Sequence, residues 1–316
     1  MTNYLLHGAT LALVWFLIVN LAASFLAAWL TRRSRAAAPP GWWFTLRILP
    51  GLAGSSFVAA VFLPSYWRYE PWQTAEEFDL TLIACAMAGA VLLGSGGLRG
   101  VLAWRRAAWR TRNWLRSARP VAIAGAAVPA FSIEADYPLM ALVGILRPRI
   151  LVTRGLMHAL SDEELAACVA HELGHSCAWD NLKRLAMRAS PDMLFGTSAA
   201  RELERRWASA AEHAADDLAG HHGAAARCAL ASALVKVARL MPERITREPI
   251  STLIAGGEIA ARVRRLLDDR ALAPAAARRQ GVRAAALALG VAVCAAYGPL
   301  LHAVHHVTEM LVVSLP

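Results

Sequence analysis

The sequence predicts a mainly α membrane protein, with four transmembrane helices and a cytoplasmic α+β domain inserted between the third and fourth. Three observations predict it. The chain has 316 residues, 57% of them hydrophobic, and a mean hydropathy of +0.40, too apolar for an ordinary soluble domain. The excess is gathered into four long apolar stretches. Between the third and fourth, about 160 residues return to the mixed pattern of a soluble domain.

Leu5–Leu30 is almost uninterrupted apolar sequence, long enough to span a bilayer with some tilt. It lacks a basic leading segment and its core is too long for a cleaved signal, so it reads as an uncleaved anchor. Ile48–Leu63 reaches spanning length only with its flanks, giving a second span over about 44–67. Phe78–Leu98 is the third span and Val282–Leu301 the fourth. The predicted layout is therefore three spans in 1–98, a basic amphipathic segment in 99–119, a soluble domain in 120–280, and the last span with a short outer tail in 281–316.

Arginine sets the orientation. Arg32, Arg33 and Arg35 follow the first span, and Arg99, Arg105, Arg106, Arg110, Arg112, Arg116 and Arg119 follow the third. The loop after the second carries Glu70, Glu76, Glu77 and Asp79 against Arg68 alone. Arginine excess marks the cytoplasmic side, which puts the N-terminus outside and the inserted domain in the cytoplasm of a cell whose inner membrane holds the chain. The preference for arginine over lysine suits a GC-rich bacterial genome. Trp29, Trp42, Trp43, Tyr66, Trp67 and Trp72 fall at span ends, where amphipathic rings prefer the headgroup zone. The net charge of +10 sits mostly beside the spans, so anionic lipid explains it better than nucleic acid, for which no recognition motif is present. Five cysteines without paired spacing read as free thiols.

In the inserted domain, Trp104–Arg116 alternates tryptophan and arginine as an interfacial helix would. Short runs at Val121–Ala124, Phe131–Ile133, Leu139–Leu146 and Ile150–Val152, divided by glycine and proline, predict a small sheet. Ser161-Asp162-Glu163-Glu164 is a capping box that starts a helix. Asn181–Met187, Ala199–Ala219 and Ala224–Leu240 read as further helices.

The capped helix carries His171-Glu172-Leu173-Gly174-His175 in its third and fourth turns. Histidines four apart project from one helical face, where two neutral imidazoles can hold one Zn²⁺. Glu172 beside the first can take a proton from a water that the metal activates. HExxH alone fixes three positions and arises by chance in roughly a few per cent of chains this long, so context decides. A third protein ligand is needed, and Glu212 is the candidate. Asp216, one turn on, can accept from an imidazole N–H and orient it. Glu202 and Glu204 are alternatives with no second acid at i+4, while Cys177 is turned about 200° from His175. His221, His222 and Arg227 are candidate oxyanion donors among which the sequence does not choose. His302, His305 and His306 have helical spacing past the last span and could bind metal, but only Glu309 is a nearby carboxylate in sequence.

Gly144-Ile145-Leu146-Arg147-Pro148-Arg149-Ile150, Leu156, Leu160-Ser161-Asp162-Glu163-Glu164-Leu165, the HELGH segment and Asp180-Asn181 together resemble the BlaR/MecR-type antirepressor metallopeptidases, relatives of the Ste24/HtpX membrane proteases within the gluzincins. The resemblance covers about Ala135 to Gly220 in detail, plus the span layout. It implies a zincin-like domain with one zinc on His171, His175 and Glu212, Glu172 as catalytic base, Asp216 as the orienting acid, and a protein substrate such as a cytoplasmic repressor. The chain departs from the family at Ser176-Cys177-Ala178-Trp179, where a basic pair is usual, and in lacking the penicillin-binding sensor domain. Three function classes follow: a membrane zinc endopeptidase in signalling or membrane-protein quality control, a non-proteolytic receptor or scaffold with structural zinc, and a membrane-anchored nucleic-acid binder supported by charge alone.

Overall fold

Apolar sequence without a breaker before Pro39 forms one long helix, α1 (Thr2–Arg33), in this computed structural model, which describes residues 2–35, 37–71, 79–135, 137–240, 256–268 and 296–312. A second helical run, Pro40–Tyr69, opens with proline in its first turn, where no N–H is required. It comprises α2 (Pro40–Phe57), one π turn (Val58–Phe62) and α3 (Leu63–Tyr69). The π turn lies just before Pro64, which cannot donate to the carbonyl four residues back. That carbonyl, on Ala60, instead accepts from the Tyr297 hydroxyl at 2.6 Å.

The third long helix is α4 (Leu80–Ser117), capped by the Asp79 side chain, which accepts from the Thr81 N–H at 2.9 Å. The sequence divides this stretch at residue 98, yet the helix runs on for 38 residues, about 57 Å. No breaker intervenes. Gly96 and Gly100, which look like weak points, are used for close contact with Pro191 and Ala189. The arginine-rich half of α4 is therefore a rigid continuation of the apolar half.

All three helices are long and apolar enough to cross a membrane, and only 28–33% of their apolar windows is buried. Phe25, Val91 and Leu98 point outward, as lipid-facing side chains would. Most of the predicted fourth span lies outside the described residues. Residues 296–312, here α11, are helical well beyond Leu301, where the sequence ends the span. The polar histidines that suggest a terminus pack instead on the Tyr69 ring, which lies edge-on to His302 and stacks on His305.

Beyond α4 come a sheet and six helices: β1 (Arg119–Val121), β2 (Ala130–Ile133), β3 (Met140–Val143), β4 (Arg149–Thr153), α5 (Arg154–Ala159), α6 (Asp162–Cys177), α7 (Asp180–Ala189), α8 (Ser198–Gly220), α9 (Ala224–Leu240) and α10 (Gly256–Leu267). The strand order is β1-β2-β4-β3, with β2 and β4 parallel and the other pairs antiparallel, so β3 is an edge. Ile150 and Val152 pack with Leu156, Val169 and Ala233 into the domain core, beneath α6 and α9.

The domain is seated on the end of the bundle that carries Arg32 and Arg33. Trp43 and Leu46 of α2 share one core with Leu203, Trp207 and Ala211 of α8. Arg206 donates to the Thr31 and Ser34 carbonyls, and Arg47, fully buried, pairs with Asp192 at 2.7 Å. The Pro191 carbonyl accepts from Asn20 of α1 at 2.6 Å.

Candidate metal centre

The capping box forms as the sequence predicts. The Ser161 side chain accepts from the Glu164 N–H while the Glu164 carboxylate accepts from the Ser161 N–H at 2.8 Å. This fixes the start of α6, and three turns on His171, Glu172 and His175 are all buried on its inner side. Opposite lies α8, which buries Glu212 and Asp216. The two helices touch at Gly174, where a Cβ would come 3.0 Å from the Ala215 Cα. A glycine between the histidines thus lets Glu212, three residues before Ala215, reach both of them.

The donor atoms converge. His171 Nε2 lies 3.5 Å from Glu212 Oε2 and His175 Nε2 lies 3.4 Å from Glu212 Oε1. One ligand atom from each residue falls within 4.8 Å of the others. Neither imidazole Nε2 nor either Glu212 oxygen makes a well-formed hydrogen bond, although all are buried. They are aimed at a shared point more than at one another. Donors around a tetrahedral zinc stand about 3.3 Å apart, so the arrangement fits such an ion with little movement.

The outer nitrogens are oriented by acids. His171 Nδ1 stands 3.0 Å from Asp216 Oδ1, and His175 Nδ1 stands 2.7 Å from Asp180 Oδ2. Asp180 enters the sequence reading only within the resemblance, with no role given to it. Its position depends on Trp179, whose φ of 57° is left-handed and folds the chain back at the end of α6. No residue preference announces that turn, since glycine or asparagine is usual there.

Arg262 of α10 is the larger omission. Its guanidinium grips Asp216 through two hydrogen bonds of 2.8 and 2.6 Å and places Nη1 2.9 Å from Glu212 Oε2. A signal was present: Ile259, Arg262, Val263 and Leu266 share one helical face, so an arginine lies within an apolar stripe. Two of the three oxyanion candidates are not brought to this point. His221 and His222 are exposed past the end of α8, roughly 13 Å along its axis from Glu212.

Burial alone would lower the histidine pKa values, but hydrogen bonds to the carboxylates hold both above the usual range, His175 at about 10. Burial would raise Glu212 and Asp216, and their basic neighbours hold both below it. Burial dominates at Glu172 and pushes its carboxyl up, the direction a general base near neutrality requires. These directions belong to the side chains alone, and a cation on the imidazoles takes the place of their protons. Glu172 Oε2 also accepts from the Leu142 N–H of edge strand β3 at 2.8 Å. Asn181 donates to the Leu142 and Gly144 carbonyls, clamping that edge beside the base.

Residues 105–200 match the family model for Peptidase family M48. The matched segment runs from the basic half of α4 through the sheet, the HELGH helix and α7, stopping before Glu212 and Asp216. It supports metallopeptidase activity of the M48 kind. A search of curated proteins found no match.

Proposed function

We propose that the chain is a membrane-anchored zinc endopeptidase with its centre on the cytoplasmic side, and that His171, His175 and Glu212 hold one zinc. The observation that carries this is the convergence of one buried ligand atom each from His171, His175 and Glu212 within 4.8 Å, beside a buried glutamate. Bound there, zinc would supply a Lewis acid that activates water and polarises the scissile carbonyl. Glu172 takes the water's proton and passes it to the leaving amine. Asp216 and Asp180 hold the imidazole rings, and Arg262 holds Asp216.

An extended peptide fits the groove beside the centre. A cleft lined by Leu142, Gly144, Ile145, His175 and Asn181 continues into one lined by Trp114, Arg110, Arg184 and Arg188. β3 is an edge to which an extended substrate could add, displacing the bonds that Glu172 and Asn181 make to Leu142 and Gly144. The groove runs along α4 where that helix leaves the apolar zone, so a juxtamembrane or cytoplasmic protein is the substrate class. The antirepressor role rests on the resemblance, and quality control uses the same site. The predicted last span, ending in α11, returns the chain to the outer face, and the resulting four-span unit sits in a bacterial inner membrane.

Cells carrying the native protein or Glu172→Ala distinguish the readings. New cytoplasmic N-termini should appear only with the native form, while the purified variant keeps its zinc. Identical N-terminal peptides in both strains would sink the protease reading and leave a structural zinc site.

A further inference from the structure

The sequence leaves His302, His305 and His306 short of carboxylates, with Glu309 alone nearby. The fold supplies the missing one. Glu70, buried just past α3, stands beside α11, with Oε2 3.8 Å from His305 Nδ1. Its other oxygen lies 4.0 Å from His7 Nε2 of α1. One ligand atom each from Glu70, His305 and Glu309 fall within 4.8 Å of one another. Two elements remote in sequence, the end of α3 and α11, thus place an imidazole and two carboxylates around one point.

We propose that Glu70, His305 and Glu309 form a second divalent-metal site, separate from the HELGH centre, that pins α11 to the first two long helices. The separations exceed direct hydrogen bonds, and donors around a tetrahedral ion stand about 3.3 Å apart, so small side-chain movements close the shell. An imidazole among the ligands selects a first-row transition ion over magnesium or calcium. His7 faces the second Glu70 oxygen at 4.0 Å, and the Tyr69 ring stacks on His305 at 5.5 Å between centroids. His305 and Glu309 are only partly buried, which gives an ion a way in.

The two centres lie at opposite ends of the bundle. Arg47, which meets the soluble domain, and Glu70 are about 35 Å apart along their shared helical run. A metal at this site therefore acts on the helices and not on the chemistry. It ties α11 to the face away from the catalytic domain.

Zinc content of the purified full-length protein in detergent tests this. The native chain should bind two zinc ions, and Glu70→Gln or Glu309→Gln should each bind one. A His171→Ala, His175→Ala variant should retain one ion, with an X-ray absorption edge showing one imidazole and otherwise oxygen ligands. Zinc should raise the thermal midpoint of that variant, and adding Glu70→Gln should erase the rise. Unchanged zinc content in both glutamine variants would overturn the proposal whatever the HELGH centre does. Should Glu70→Gln fail to fold, the partly exposed Glu309→Gln decides alone.

Discussion

Gly174 shows how one missing methyl shapes a site. Its Cβ would press on Ala215 at 3.0 Å from Cα and 3.2 Å from Cβ, so α8 must yield by a few tenths of an ångström. Gly174→Ala is expected to cost about 1–3 kcal/mol through overpacking. Because Glu212 rides on the displaced helix, zinc affinity should also fall by about tenfold, as measured by chelator competition. Unaltered affinity would mean that α8 adjusts without moving Glu212. At this scale the placement of His171, Glu172 and His175 on one helix and of Glu212 and Asp216 on another was legible, since spacing on a helix is a local property. Asp180 and Arg262 were not legible in the same way. One depends on an unannounced left-handed turn at Trp179, and the other comes from a helix whose partner no spacing rule identifies.

The capped start of α6 predicts a pH dependence at the scale of the element. Burial opposes ionisation of Glu164, but Lys236, Ser232 and the Ser161 N–H outweigh it and hold the carboxyl below its usual range. A depressed folded-state value stabilises the fold above the unfolded value, near 4.3, and that contribution is lost as pH falls through the folded value. Lys236 is 44% exposed, so solvent screening limits the gain to about 1 kcal/mol. Glu164→Gln should therefore lower the thermal midpoint at pH 7, with the gap closing on acidification below the carboxylate range. A gap that persists at low pH would assign the loss to packing. The cap, α7, α8 and α9 were readable from local signals, and so were the strands to within a few residues. The unbroken α4 was not, because composition changes from apolar to basic at Arg99 while the helix continues to Ser117.

At the scale of the whole molecule, the domain and the bundle are joined by a buried ion pair. Arg47 and Asp192 are fully buried side chains 2.7 Å apart, and Arg47 also reaches Glu204 at 3.1 Å. Removing one member of such a pair leaves a charge without compensation, at a cost of about 3–5 kcal/mol. Arg47→Ala should destabilise the full chain by that amount in thermal unfolding, and limited proteolysis should cut between α7 and α8 first. Stability within about 1 kcal/mol of native would assign the docking to the shared Trp43–Trp207 core instead. Nothing local in Arg47 distinguishes it from the other arginines near span ends.

What the sequence by itself determined is the set of properties carried by neighbours along the chain: the long apolar helices, the capped helix, the paired histidines with their glutamate, and the acids four apart on α8. Periodicity and capping are short-range physics, so they can be read without a fold. Only the tertiary structure decided which remote groups share a space, namely Arg262 with Glu212 and Asp216, Leu142 with Glu172, and Glu70 with His305 and Glu309. These juxtapositions come from how helices pack, and packing depends on the shapes of whole surfaces rather than on the order of residues within any one element.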